Sequence, residues 1–226
     1  MNTTRTEYKK RLKEVEIYLD TITLLDQGTC TIECIDIGGN RHTQLVDNDL
    51  IRILKANGFL ILYNLIEATI RNSISAILNA IAIDKLSFRK LSDSLKDIWI
   101  GQEIKNITEH RTLKTKVIKV SNDILNDNLL VFEKECINIS GNIDAQKIRE
   151  IANKFGYNES KDGRCLHTIT DKRNKLAHGE YTFSDVGKEC ASNDLIRYKN
   201  EVVLYIEDVL NNVELYINNK GYSILP

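Results

Sequence analysis

The only proline in this 226-residue chain is its last residue, Pro226. Proline ends a helix more forcibly than any other residue, because it lacks the amide donor and its ring clashes with the carbonyl four residues back. With none before the C-terminus, long helices are permitted throughout, and apolar residues recurring every three or four positions decide where they form. Tyr8, Leu12, Val15, Leu19 and Ile22 predict a helix over 4–26, ending near Gly28. Phe59, Leu62, Ile66, Ile70, Ile74, Ile77 and Ile81 predict a second, from a cap at Asp47 or Asn48 to about Ile83, with Asn57-Gly58 as a place for a kink. A third is expected over 87–107 around Leu91, Leu95, Ile98 and Trp99, the tryptophan being core. A fourth falls within 117–139, where the sequence marks no ends. Asp144 as cap and Gly156 as left-handed stop delimit a short helix over 145–155. Two more are expected over 164–179 and about 193–219, with residues 180–192 as loop between them. The one β signal is Cys30, Ile32 and Cys34 alternating with Thr31 and Glu33 before Gly38-Gly39-Asn40, a short strand or hairpin near 29–37.

Charge and cysteine usage narrow the classes of function. Lys and Arg number 31 against 32 Asp and Glu, a formal charge of -1, so no global basic field draws this chain to nucleic acid. A local patch is then required, and the run Lys105, His110, Arg111, Lys114, Lys116 and Lys119 is one candidate, set against the plainer reading of a solvated surface. The charged start MNTTRTEYKKRLKEVEIYLD has no signal-peptide core, and nowhere do 18 apolar residues follow one another. A soluble, cytoplasmic chain without a membrane partner is expected. Five scattered cysteines without a C-x-x-C pair point to reduced thiols, and Cys30, Cys34 and His42 lack a fourth ligand at zinc spacing, so no metal is expected. Gly38-Gly39 stands outside any phosphate-cradling context, and no cofactor is expected. The length bounds one domain over 1–226, in which the N-terminal helix packs on a core of about 45–220.

The stretch Arg173-Asn174-Lys175-Leu176-Ala177-His178-Gly179 breaks the apolar pattern. Leu166, Ile169, Leu176 and Ala177 form a helix stripe, and Arg173 falls inside it. Desolvating a guanidinium is costly, so this arginine needs an internal carboxylate or an anionic ligand. In a helix, five residues separate Arg173 from His178 by about 140° of rotation and about 7.5 Å of rise. Asn174 lies one turn before the histidine on its own face, placed to hydrogen-bond the ring or a ligand there. The stop at Gly179 puts His178 in the last turn, where the helix dipole favours an imidazolium. A permanent cation beside a proton-shuttling ring suits chemistry at a phosphodiester. Upstream, Asn64, Glu67 and Arg71 share one face of the helix over 47–83; Glu67 and Arg71 are spaced as an exposed ion pair, and Arg173 offers Glu67 a second use.

R-N-K-L-A-H-G in the penultimate helix, with L-Y-N-L-I-E-A-T-I-R at Leu62–Arg71 and S-G-N-I-D at Ser140–Asp144, resembles the R-x4-H signature of HEPN domains, in the branch found with bacterial toxin, restriction and phage-defence loci. The similarity covers about residues 45–220. It implies an all-α, HEPN-like antiparallel bundle of long helices and a metal-independent endoribonuclease activity. On that resemblance Arg173 would bind the scissile phosphate, His178 would act as acid or base on the 2′-OH or the leaving oxygen, and Asn174 would orient them. Glu67 would pair with Arg173, Asn64 and Arg71 would support the site, and Lys172 and Lys175 would hold the RNA backbone. Use of the 2′-OH confines such a site to RNA. The alternative is a HEPN-like module that binds RNA or nucleotide, or dimerises, without cutting.

Proton accounting adds an expectation of dimerisation. Cleavage by 2′-OH attack needs a base and an acid, and the motif holds one histidine. His167, eleven residues earlier, is nearly eclipsed with His178 but about 16 Å away along the axis. A two-fold homodimer brings a second His178, and HEPN nucleases typically build such a composite cleft. An antitoxin or defence-system partner is a further expectation of the resemblance. A family variant carries a tyrosine two residues after the histidine as a site of adenylylation; here that position is Glu180, followed by Tyr181, which argues against that route.

Overall fold

The computed structural model describes residues 1–105, 110–133, 136 and 142–224. Among these the chain is all-α apart from one hairpin. Its elements are α1 (Asn2–Leu25), β1 (Thr31–Ile35), β2 (Arg41–Leu45), α2 (Asn48–Asp84), a 3-10 turn (Phe88–Lys90), α3 (Asp93–Ile104), α4 (His110–Leu125), α5 (Ala145–Phe155), α6 (Arg164–Ala177), α7 (Phe183–Lys188) and α8 (Ser192–Asn218).

The packing divides into two compact units interleaved in sequence. One comprises Thr6–Ala68 and Gly163–Leu204, the other Met1–Arg5, Thr69–Asp162 and Tyr205–Pro226, so α1, α2 and α8 contribute residues to both.

In the first unit Val15, Leu19, Phe59, Leu62, Ile66, Leu166, Ile169 and Leu195 are buried, as their stripes predict. Asp47 caps α2, its Oδ1 accepting the Leu50 amide at 2.7 Å. The helix runs unbroken through Asn57-Gly58. Gly58 serves as a contact point instead of a kink: a Cβ there would stand 3.0 Å from Leu195 and 3.5 Å from Leu19. The hairpin pairs Thr31 with Leu45 and Cys34 with His42. Every residue of both strands is exposed, so the alternation at 30–34 marks strand geometry without a buried face. The connection is held locally: Asp36 accepts from the Asn40 amide at 2.8 Å and from its side chain at 3.0 Å, and lies 3.2 Å from His42. These bonds, Asn40 first, hold the Asp36 carboxyl down to about 2.

In the second unit Trp99 is buried, and its ring packs edge-to-face with Phe88, centroids 5.6 Å apart. Tyr216 Oη donates to the Phe155 carbonyl at 2.6 Å, and Arg5 to Glu214 at 2.6 Å. Helix α5 has the caps expected of it: Asp144 accepts from the Lys147 amide, and Gly156 takes φ 85°. The helix expected over 87–107 begins only at Asp93, because the 3-10 turn and an extended Ser92 (φ -62°, ψ 155°) precede it. Helix α4 starts seven residues before the window 117–139 in which a helix is expected and stops at Leu125, so residues 126–133 of that window are not helical. Ser140 and Gly141 of the S-G-N-I-D stretch, and the side chains of His110 and Arg111 in the basic run, lie outside the described residues. Of the rest of that run, Lys119 pairs with Glu103 at 2.6 Å and Lys116 donates to the Lys105 carbonyl at 2.6 Å.

The five cysteines are free thiols, and among the described residues no three His, Cys, Asp or Glu side chains gather as a metal site.

Candidate functional site

The motif helix α6 starts after Gly163, whose φ of 81° turns the chain into it, and buries Cys165, Leu166, Ile169, Thr170 and Leu176. Arg173 is half-buried at the edge of this face, and not enclosed as a residue within the stripe is expected to be. Its guanidinium carbon lies 4.4 Å from the ring centroid of Tyr63 on α2, and Tyr63 is 3% exposed. A cation over an aromatic face is stabilised by the ring quadrupole, by up to about 2 kcal/mol where water is excluded. The guanidinium also donates from Nη1 to Asn174 Oδ1 at 2.8 Å.

Asn174 also reaches His178 through its main chain, its carbonyl accepting the His178 amide at 2.9 Å. His178 is the C-cap of α6, with φ -90° and ψ -2°, and it is exposed. Gly179 follows at φ 69°. The Gly179 amide bonds to the Leu176 carbonyl at 3.2 Å, and the Glu180 amide to the Lys175 carbonyl at 3.0 Å, the two bonds of a Schellman motif. A Cβ on Gly179 would meet nothing within 4 Å, so the glycine is needed for its backbone angle. One helix end therefore carries a planar cation seated on a ring and an open imidazole, joined through Asn174.

The other expected site residues are distributed as follows. Glu67 is half-buried one turn beyond Tyr63 on the same face of α2. Asn64 is turned toward α1, where its Oδ1 accepts from Arg11 at 2.9 Å across a groove of about 640 Å³. Arg71 is exposed one turn after Glu67, on the part of α2 that belongs to the second unit. Lys172 pairs with Glu189, and Lys175 pairs with Asp171 at 2.8 Å while its ammonium sits 5.4 Å from the Tyr181 ring centroid. The hydrogen bond that the Lys175 ammonium donates to the Asp171 carboxylate raises its pKa from the ordinary value. Both lysines therefore have internal carboxylates. His167 is exposed on α6.

Two features escape the sequence reading. Tyr63 stands four residues before Glu67 inside L-Y-N-L-I-E, and that i, i+4 relation is the signal that points to it. Residues 180–192, expected as loop, contain α7, whose Thr182 and Asp185 form a reciprocal capping box. The T-x-x-D spacing announces it.

A family model described as HEPN_MAE_28990-like HEPN matches residues 2–222. No curated protein and no solved structure matches the chain.

Proposed function

The chain belongs to the HEPN family, whose members are nuclease or RNA-binding modules, and on that premise we propose that it is a metal-independent endoribonuclease. The observation that carries this reading is the end of α6. There Arg173 is held on Tyr63 and bonded to Asn174, while the exposed His178 caps the same helix.

In the proposed reaction the RNA 2′-OH attacks the adjacent phosphorus, and the bond to the 5′-oxygen breaks. Arg173 binds the non-bridging oxygens, whose charge grows in the transition state. One His178 takes the 2′-proton and a second His178, from the other protomer of a homodimer, gives a proton to the leaving 5′-oxygen. The product ends are a 2′,3′-cyclic phosphate and a 5′-hydroxyl. Glu67 is proposed to brace Arg173 from α2. The loci named by the resemblance suggest a cytoplasmic toxin or phage-defence effector, restrained by an antitoxin or released by a defence-system partner.

The test is incubation of purified protein with RNA in EDTA. Cyclic-phosphate ends are expected, with His178→Ala and Arg173→Ala each abolishing cleavage at unchanged helicity. Intact RNA, or variants that cut as well as the wild type, would overturn the reading. The alternative is a HEPN-like module that binds RNA without cutting it. Its signature is salt-dependent binding of RNA that stays whole.

A further inference from the structure

We propose that Tyr63 is a positioning residue of this site: its ring seats the Arg173 cation and holds it in place to meet a phosphate. The inference rests on the nuclease reading and adds to it a residue that belongs neither to the arginine-histidine motif nor to the polar stripe of α2.

Three observations carry it. The cation lies 4.4 Å from the ring centroid, within the range of a cation–π contact. The ring is 3% exposed in the α2 face that also bears Glu67, so its own orientation is fixed by packing. Arg173 Nη1 also donates to Asn174 Oδ1 at 2.8 Å, so ring and amide together hold the guanidinium at two points. Arginine grips phosphate through its fork of N–H donors, and a cation held by ring and amide presents that fork from a fixed position. Ordering the cation before substrate arrives removes reorganisation from the chemical step, so the effect belongs in kcat more than in KM.

The experiment replaces Tyr63 with Phe and then with a series of increasingly fluorinated phenylalanines, which drain the ring face of electron density at nearly constant volume. Cleavage of a defined RNA oligonucleotide in EDTA is followed together with the Arg173 side-chain N–H resonance. Tyr63→Phe should stay within about threefold of the wild type, and kcat should fall stepwise with fluorination, by about tenfold in all, at nearly constant KM. The Arg173 resonance should be shifted upfield by the ring current and lose that shift in Tyr63→Leu. A flat kcat across the series, or a loss in Tyr63→Phe as large as in Tyr63→Leu, overturns the proposal. So does an unshifted Arg173 resonance, whatever the rate. A shifted resonance with uncut RNA overturns the nuclease reading, and with it the catalytic consequence of the stack.

Discussion

Arg173 is set apart from the lysines around it by the shape of its charge. A lysine ammonium at position 173 would keep the charge but not present a fork of donors. Arg173→Lys is therefore expected to cut RNA roughly a hundredfold more slowly than wild type, on the scale of losing one donor to a developing oxyanion, with the melting temperature nearly unchanged. A rate within a few-fold of wild type would mean that charge alone suffices. The cysteines give a second residue-level prediction. Burial pushes the Cys165 thiol up to about 12 and the Cys190 thiol up to about 11 from 9.0. Both stay protonated at pH 8, and the thiolate is the reactive form. A thiol reagent at that pH should modify the exposed Cys34 rapidly and leave Cys165 and Cys190 until the protein is denatured. The linkage runs with the same sign: raised folded values stabilise the native state below about pH 9, and that contribution is lost as pH rises from there toward 12. Arg173 stands out in the sequence because a charge interrupts an apolar stripe. Its ring partner does not, because that contact joins two helices far apart in the chain.

The helix ends determine where the proposed chemistry would sit. Gly179 closes α6 in the left-handed region, at φ 69°, and a side chain there costs about 1–2 kcal/mol. Gly179→Ala should relieve that strain by unwinding the turn that presents His178, so cleavage falls while most of the helicity remains. Asp144→Ala provides the contrast. It removes the cap of α5 at a cost of about 1 kcal/mol, which lowers the melting temperature by about 2–4 °C. The kcat of the folded protein should not change. Equal effects of the two variants on kcat would show that the helix end at Gly179 has no special part in the site. Element boundaries were legible wherever a cap or glycine stop marks them, as for α5, α6 and the start of α2. They were obscured where a boundary depends on a turn without such a marker, as in the 3-10 turn that delays α3 to Asp93. The strand β2, Arg41-His42-Thr43-Gln44-Leu45, has no alternating apolar face to announce it. It is defined by its pairing with β1.

The all-α architecture follows from the near absence of proline and the 3.6-residue stripes, and both are visible in the sequence. The division into two interleaved units is not, because the apolar stripe of α2 continues unchanged across Ala68 and Thr69, where the units meet in sequence. A formal charge of -1 leaves RNA binding to a local surface, and Lys172 and Lys175 already hold carboxylates. Ion pairs open to solvent on one side contribute little, so exchange of Glu189 or Asp171 for a phosphate is cheap. The proposed pair of His178 rings makes a prediction for the assembled molecule: activity per chain should drop on dilution, in step with dissociation of a dimer measured by sedimentation. A monomer that cuts at the full rate would remove the composite cleft from the mechanism. The central claim, that the end of α6 is an RNA-cleaving site, is tested most directly by the chemistry of the cut ends. The wild-type protein, incubated with RNA in EDTA, should leave 2′,3′-cyclic phosphate ends that neither His178→Ala nor Arg173→Ala produces; RNA left whole by the wild type, or cut equally by all three, would contradict it.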